Sequence, residues 1–264
     1  MSHIAGKTGN VYGSALSIDT CETAWTTGGA GRAVSAVAGK VGTNCARVTT
    51  TTIGATALLQ YKASLTVDLT TYDGILFWIR SSVTTTAGQL QLLLDESADC
   101  ASPDETLDIP ACTAATWRLC FSRMTDPSIL NAVATVGLYQ YANLDDGTFD
   151  VDDVNALKEI DGIKSWTLDY KADVKEVTDF DDAGSKSFIV IGSGWSGSFE
   201  GYKDGVPLGI GTEVYLVLGE STTAYNNWIG RVIITGASPD APHDGIVTYK
   251  YTFQGTGLLQ PPDA

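Results

Sequence analysis

The stretch Ile246-Val-Thr-Tyr-Lys-Tyr-Thr-Phe253 alternates apolar and polar side chains. A β-strand turns successive side chains to opposite faces. Val247, Tyr249, Tyr251 and Phe253 therefore share one face, and Thr248, Lys250 and Thr252 the other. Outward from this stretch the same kind of segment recurs. Short β-branched, leucine-rich and aromatic runs occupy 74–80, 89–94, 133–139, 187–191, 213–218 and 232–235, set off by Gly, Asp, Asn, Ser and Thr. Helical periodicity is nearly absent. Strands of this length between turn residues predict an all-β chain, built as sandwiches or barrels.

Composition narrows the function classes. The 264 residues are 44% hydrophobic and 18% charged, with a formal net charge of −15. That apolar content supports a sizeable core and excludes a disordered chain. The acidic balance excludes a basic nucleic-acid binder, because phosphate contacts are made by Lys and Arg. No run approaches the ~18–20 consecutive apolar residues of a membrane-spanning helix. The first ten residues contain no apolar signal segment, so the expectation is a protein that stays in the cytoplasm or has had a leader removed. All five cysteines (Cys21, Cys45, Cys100, Cys112, Cys120) precede residue 156. Residues 13–155 carry 7 Lys and Arg against 16 Asp and Glu, and the remainder 9 against 15. Both parts are acidic, and the junction at 150–162 has no Pro/Gly/Ser linker, which points to a close junction.

Motifs for chemistry are sparse. Gly192-Ser-Gly-Trp-Ser-Gly197 fits G-x-G-x-x-G, but a dinucleotide site needs a helix next, and a strand and turn follow instead. His3 lies at a terminus and His243 in a Pro- and Asp-rich turn, and neither is paired with a nucleophile. The adjacent carboxylates Asp145/Asp146 and Asp152/Asp153 read as solvated turn residues, since a glycosidase pair must flank a bond in space. An odd cysteine count leaves at least one thiol unpaired. Cys45 and Cys120 read as buried and Cys21, Cys100 and Cys112 as nearer loops, where spacing does not establish a Cys100–Cys112 link. No enzyme is expected.

Three segments carry a resemblance. Ile163-Lys-Ser-Trp-Thr-Leu-Asp-Tyr-Lys-Ala-Asp-Val-Lys-Glu-Val-Thr-Asp-Phe180, Trp195-Ser-Gly-Ser-Phe-Glu-Gly-Tyr202 and Tyr249-Lys-Tyr-Thr-Phe-Gln-Gly-Thr-Gly-Leu258 resemble the major tail proteins of long-tailed bacteriophages, in that family's order. Ile4-Ala-Gly-Lys-Thr-Gly-Asn-Val-Tyr12 is similar to the family's opening strand. The resemblance implies a tail-tube β-sandwich or barrel with one short helix, formed by residues 1–12 and 156–264. It further implies hexameric rings stacked into a tube that conducts DNA, other tail proteins as partners, and a place in the virion after assembly in the bacterial cytoplasm. The segment around 174–195 matches the family's loop that reaches a neighbouring ring. Its candidates are Val174, Asp179, Phe180, Asp181, Asp182, Lys186 and Trp195, read as a polar loop that orders on assembly. An acidic lumen would repel phosphates and keep DNA moving, while net charge also gives solubility.

Residues 13–155 resemble a carbohydrate-binding-module or galactose-binding-like jelly roll. The resemblance rests on Leu16-Ser-Ile-Asp-Thr-Cys-Glu-Thr-Ala-Trp25, Leu69-Thr-Thr-Tyr-Asp-Gly-Ile-Leu-Phe-Trp-Ile-Arg80 and Phe149-Asp-Val-Asp-Asp-Val-Asn155. It implies that first and last strands meet, as an insertion into a hairpin tip requires. It also implies a structural Ca²⁺ held by Asp19 or Glu22 with Asp152. No other cofactor is expected. Trp25, Tyr61, Tyr72, Trp78, Trp117, Tyr139 and Tyr141 are available as platforms for host glycans, although most aromatics of a sandwich are core. The alternatives are a carbohydrate-binding protein, or a tail-tip, connector or capsid-decoration protein of the same fold.

Overall fold

The computed structural model describes residues 10–144, 146–177, 185–202, 208–220 and 226–262. Among them are sixteen strands: β1 (Val11–Asp19), β2 (Thr26–Thr27), β3 (Arg32–Ala38), β4 (Asn44–Thr50), β5 (Ala57–Lys62), β6 (Gly74–Ser81), β7 (Leu90–Asp95), β8 (Glu105–Asp108), β9 (Trp117–Arg123), β10 (Thr135–Gln140), β11 (Thr148–Glu159), β12 (Ile163–Glu176), β13 (Phe188–Tyr202), β14 (Glu213–Gly219), β15 (Asn227–Asp240) and β16 (Thr248–Gln260). The protein is all-β. The helical content described is one 3₁₀ turn, Pro127–Ile129, capped by the Asp126 side chain. The short helix expected within 156–264 does not occur among the described residues there.

Eleven strands form one antiparallel sheet along the path β12-β13-β16-β15-β14-β1-β11-β4-β3, with β6 and β9 branching from β11. The other five form a second sheet, β2-β5-β10-β7-β8. The path runs between two edges and does not close into a barrel. The first and last strands of the 13–155 segment do meet, with Ser17 opposite Asn155 and Leu16 opposite Ala156. The expected boundaries at 12/13 and 155/156 fall inside β1 and β11.

Three apolar clusters follow from the strand patterns. Inward residues of β4, β6 and β11 (Val48, Phe77, Phe149) meet those of the five-stranded sheet (Leu92, Leu107, Leu138) in a core drawn from 18–156. Trp195, Phe199, Val232, Ile234, Tyr251 and Phe253 form a second core with Val11. The alternation of β16 is realised here: Tyr251 and Phe253 are buried, and Lys250 and Thr252 face solvent. Between these two lies a third cluster, where Leu76, Trp78 and Phe121 pack with Tyr12, Tyr215, Val217 and Ile229. It explains why 75–79 is an unbroken apolar run. Ile75, Phe77 and Ile79 fill the first core while Leu76 and Trp78 fill the third, so β6 is buried on both faces.

Candidate functional site

The distal half of the β12–β13 hairpin is exposed on both strands. The two strands pair from Ile163 opposite Gly201 to Glu176 opposite Phe188, and Val177 N–H continues the ladder to Ser187 C=O at 2.9 Å. On its other side β13 pairs with β16 only from Ser196 to Tyr202. Among the described residues, 188–194 therefore pair with β12 alone, a ribbon of about 23 Å at strand rise. Such a two-stranded ribbon is at best marginally stable in water. Its side chains do not bury themselves: Val190 is 68% and Ile191 62% exposed, and Phe188, Ile189, Tyr170 and Val174 are also exposed. Lys186 pairs with Glu176 at 2.9 Å, and Lys171 with Asp169.

This alters the reading of the inter-ring segment. Strand structure reaches Glu176 and resumes at Phe188, so much of the expected polar loop is ribbon. Val174 and Lys186 lie on it, exposed. Asp179, Phe180, Asp181 and Asp182 lie outside the described residues. Trp195 is a correction. It is 4% exposed, its indole N–H donates to Gly257 C=O at 3.2 Å, and its ring packs against Phe253. Gly230 and Gly255 make room for it: a Cβ at Gly255 would lie 2.1 Å from the indole. The Gly192–Gly197 motif lies within β13, with no helix after it.

The carboxylates offered for Ca²⁺ lie near the β1–β11 seam and are engaged by N–H donors. Asp19 Oδ2 accepts the Trp25 indole N–H at 2.7 Å. Glu22 accepts Thr43 N–H at 2.8 Å and Asn44 N–H at 2.9 Å, one on each oxygen. Asp152 Oδ2 accepts Lys40 and Val41 N–H at 2.7 and 2.9 Å, and its buried Oδ1 has no partner. Burial pushes the Asp152 carboxyl up to about 6, helped by the negative charges of Asp153 and Glu22 and opposed by the two amides. Ca²⁺ takes about six to eight oxygens. Both Glu22 oxygens and one oxygen each of Asp19 and Asp152 thus accept N–H donors, and Asp152 Oδ1 is the buried oxygen left without a partner. Among the described residues no three His, Cys, Asp or Glu side chains converge to hold one.

Next to this seam β11 bulges, and Asp153 adopts φ +51°. The bulge aims its Oδ2 at the Tyr215 hydroxyl, which donates at 2.6 Å. Burial and that carboxylate push the phenol up. Both residues line a groove of about 680 Å³ with Asn155, Thr212, Glu213 and Arg231. Arg231 is paired with Glu213 at 3.0 Å, so the groove's strongest polar groups are already satisfied. This contact was not legible in the sequence, because 62 residues separate its members.

All five cysteines are buried thiols, and no Cys100–Cys112 disulfide forms. Burial pushes Cys45 and Cys100 up to about 12 and Cys21 well above its usual value. Of the candidate glycan platforms, Trp25 and Trp78 are buried, Tyr61, Tyr72, Trp117 and Tyr139 half-buried, and Tyr141 exposed. His243 is exposed in its turn, and His3 lies outside the described residues. No described helix is long and apolar enough to cross a membrane.

No family model matches the chain, and no curated protein matches it. It is similar to a chain of the solved structure described as "Tail of empty GTA particle computed with helical refinement, C6 symmetry". The two are 17% identical with a TM-score of 0.32, over 40% of this chain and 87% of that one.

Proposed function

We propose that the chain is a structural subunit of a phage tail tube, assembling with copies of itself into sixfold rings that stack around DNA. The β12–β13 ribbon carries the proposal. An element of two strands with apolar side chains exposed on both faces gains stability by docking on a partner. A repeating assembly supplies one at every subunit. In this reading Val174, Lys186 and the 188–191 run engage the neighbouring ring.

A polar sheet face suits the conduit. Thr167, Ser198 and Thr252 lie in register across β12, β13 and β16, with Glu200 opposite Lys250, and Asp169 paired with Lys171, on the same side. The Thr167 and Ser198 hydroxyls are 3.1 Å apart, and those of Thr235 and Thr252 3.0 Å. A hydroxyl face whose lysines are each matched by a carboxylate offers phosphate no unpaired cation to hold it. Residues 13–155 form the outward domain, and a core confined to 18–156 supports that division. The enclosed aromatics favour decoration or neighbour contact over a glycan platform.

Electron microscopy of the purified protein tests the proposal. Hollow tubes with regular side protrusions are expected. Val190→Asp with Ile191→Asp should abolish them and leave a folded monomer, because both side chains face solvent. A wild-type protein that stays monomeric at high concentration would sink the assembly reading.

A further inference from the structure

One face of the sheet formed by β3, β4, β11, β6 and β9 carries an in-register row. Ser35 stands opposite Arg47, Arg47 opposite Asp150, Asp150 opposite Arg80, and Arg80 opposite Trp117. Residues directly opposite on neighbouring strands project to the same side, so the row is continuous. Asp150 is buried beneath both arginines. Arg47 donates from Nε to Oδ1 at 2.7 Å and from Nη2 to Oδ2 at 3.0 Å. Arg80 donates from Nε to Oδ2 at 2.7 Å, with its Nη2 2.6 Å from the same oxygen. The Arg80 guanidinium also lies over the Trp117 ring, 4.6 Å from its centre.

Two guanidiniums share the Asp150 carboxylate, while Asp152, two residues along β11 on the same face, is held by the Lys40 and Val41 amides. The Arg47 fork takes one lone pair on each Asp150 oxygen, and Arg80 adds a second contact at Oδ2. Neither Nη1 group is used by Asp150, and the two side chains remain 31% and 27% exposed. The neighbouring row places Thr49 opposite Thr148, with hydroxyls 3.4 Å apart. The Nη1 groups of both guanidiniums and the mutually bonded hydroxyls of Thr49 and Thr148 thus stand side by side on this face. A planar fork matches the oxygens of carboxylate and phosphate.

We propose that Arg47, Arg80, Thr49 and Thr148 form an oxyanion-binding site that takes a carboxylate or phosphate group, either free or carried along an acidic polymer. The site lies on residues 13–155 and makes no use of the β12–β13 ribbon. Failure here leaves tube assembly untouched, and the reverse also holds.

The test is titration of the full chain at low salt with inorganic phosphate, galacturonate and polygalacturonate, reading tryptophan fluorescence and the thermal midpoint. Saturable binding is expected, with a fluorescence change that disappears in Trp117→Phe. Arg47→Lys keeps a cation beside Asp150 but loses the fork, and should weaken binding about tenfold. Thr49→Val leaves the clamp intact and should weaken it about threefold. It decides the matter if the lysine variant does not fold. Tighter binding of polygalacturonate than of galacturonate identifies a polymer as the source, and equal affinity a free anion. A response that does not saturate, or affinity unchanged in the variants, overturns the site.

Discussion

Asp152 shows how a carboxylate can suggest one chemistry in sequence and serve another in the fold. Its place next to Asp153, near a strand end, suits a cation ligand. In the structure it clamps the β3–β4 turn through the Lys40 and Val41 amides. Whether a carboxylate meets an N–H or a cation depends on a turn more than a hundred residues away, and no local pattern records it. The site has a pH consequence. A carboxyl whose folded value is about 6, above its usual 3.8, binds protons more tightly when folded. Its contribution to stability therefore falls as pH rises from about 4 to about 6 and is regained on acidification. Asp152→Asn keeps an oxygen for the two amides and removes the buried charge. It should flatten that part of the curve and raise stability at pH 7 by of order 1–3 kcal/mol, read from urea melts of both proteins across pH. Trp195 is the apolar counterpart. Read beside glycines it suggests a loop, because Gly230 and Gly255, which admit its ring, come from two later strands. Trp195→Ala should cost ~3–5 kcal/mol in the same melts. Gly255→Ala should cost ~1–3 kcal/mol by crowding the indole.

At the scale of elements, the strands themselves were legible. Runs such as 74–80 and 213–218 combine β-branched, leucine and aromatic residues between turn formers, and they became β6 and β14. The β16 alternation matched the burial of Tyr251 and Phe253. The ribbon was read less well. Its composition around 179–185 is that of a polar loop, and that impression spread over flanking residues that are strands. Its apolar run, 188–191, has the composition of a core strand, yet no second layer among the described residues covers it. A sequence reports the tendency to be buried and leaves unstated whether the cover lies in the same chain. Removing residues 174–190 and closing the ribbon with a two-residue turn should therefore leave the melting temperature nearly unchanged while ending self-association, as measured by sedimentation. A large fall in melting temperature would mean that the ribbon is part of the monomer's own core.

At the scale of the molecule, the resemblance-based division at 13–155 meets two continuous strands and a shared cluster. Excising that segment takes Leu76, Trp78 and Phe121 away from Tyr215, Val217 and Ile229, and removes most of β1 together with most of β11. The shortened chain should fold only with lowered stability and bind a hydrophobic dye at the uncovered face. Undiminished stability would show that the third cluster contributes little. The intact chain should melt in one calorimetric transition, since neither large core can open without disturbing the cluster between them.

The strand β11 has a mechanical meaning as well. It carries Phe149 and Val151 into one core, bulges at Asp153 to reach Tyr215, and sets Leu157 into the shared cluster. A force applied to the 13–155 segment would reach the remainder along two covalent strands, β1 and β11, and would load the pairing of β1 with β14 in shear, the direction in which hydrogen bonds must fail together. A tether would absorb such a pull by extending. This junction would pass it on.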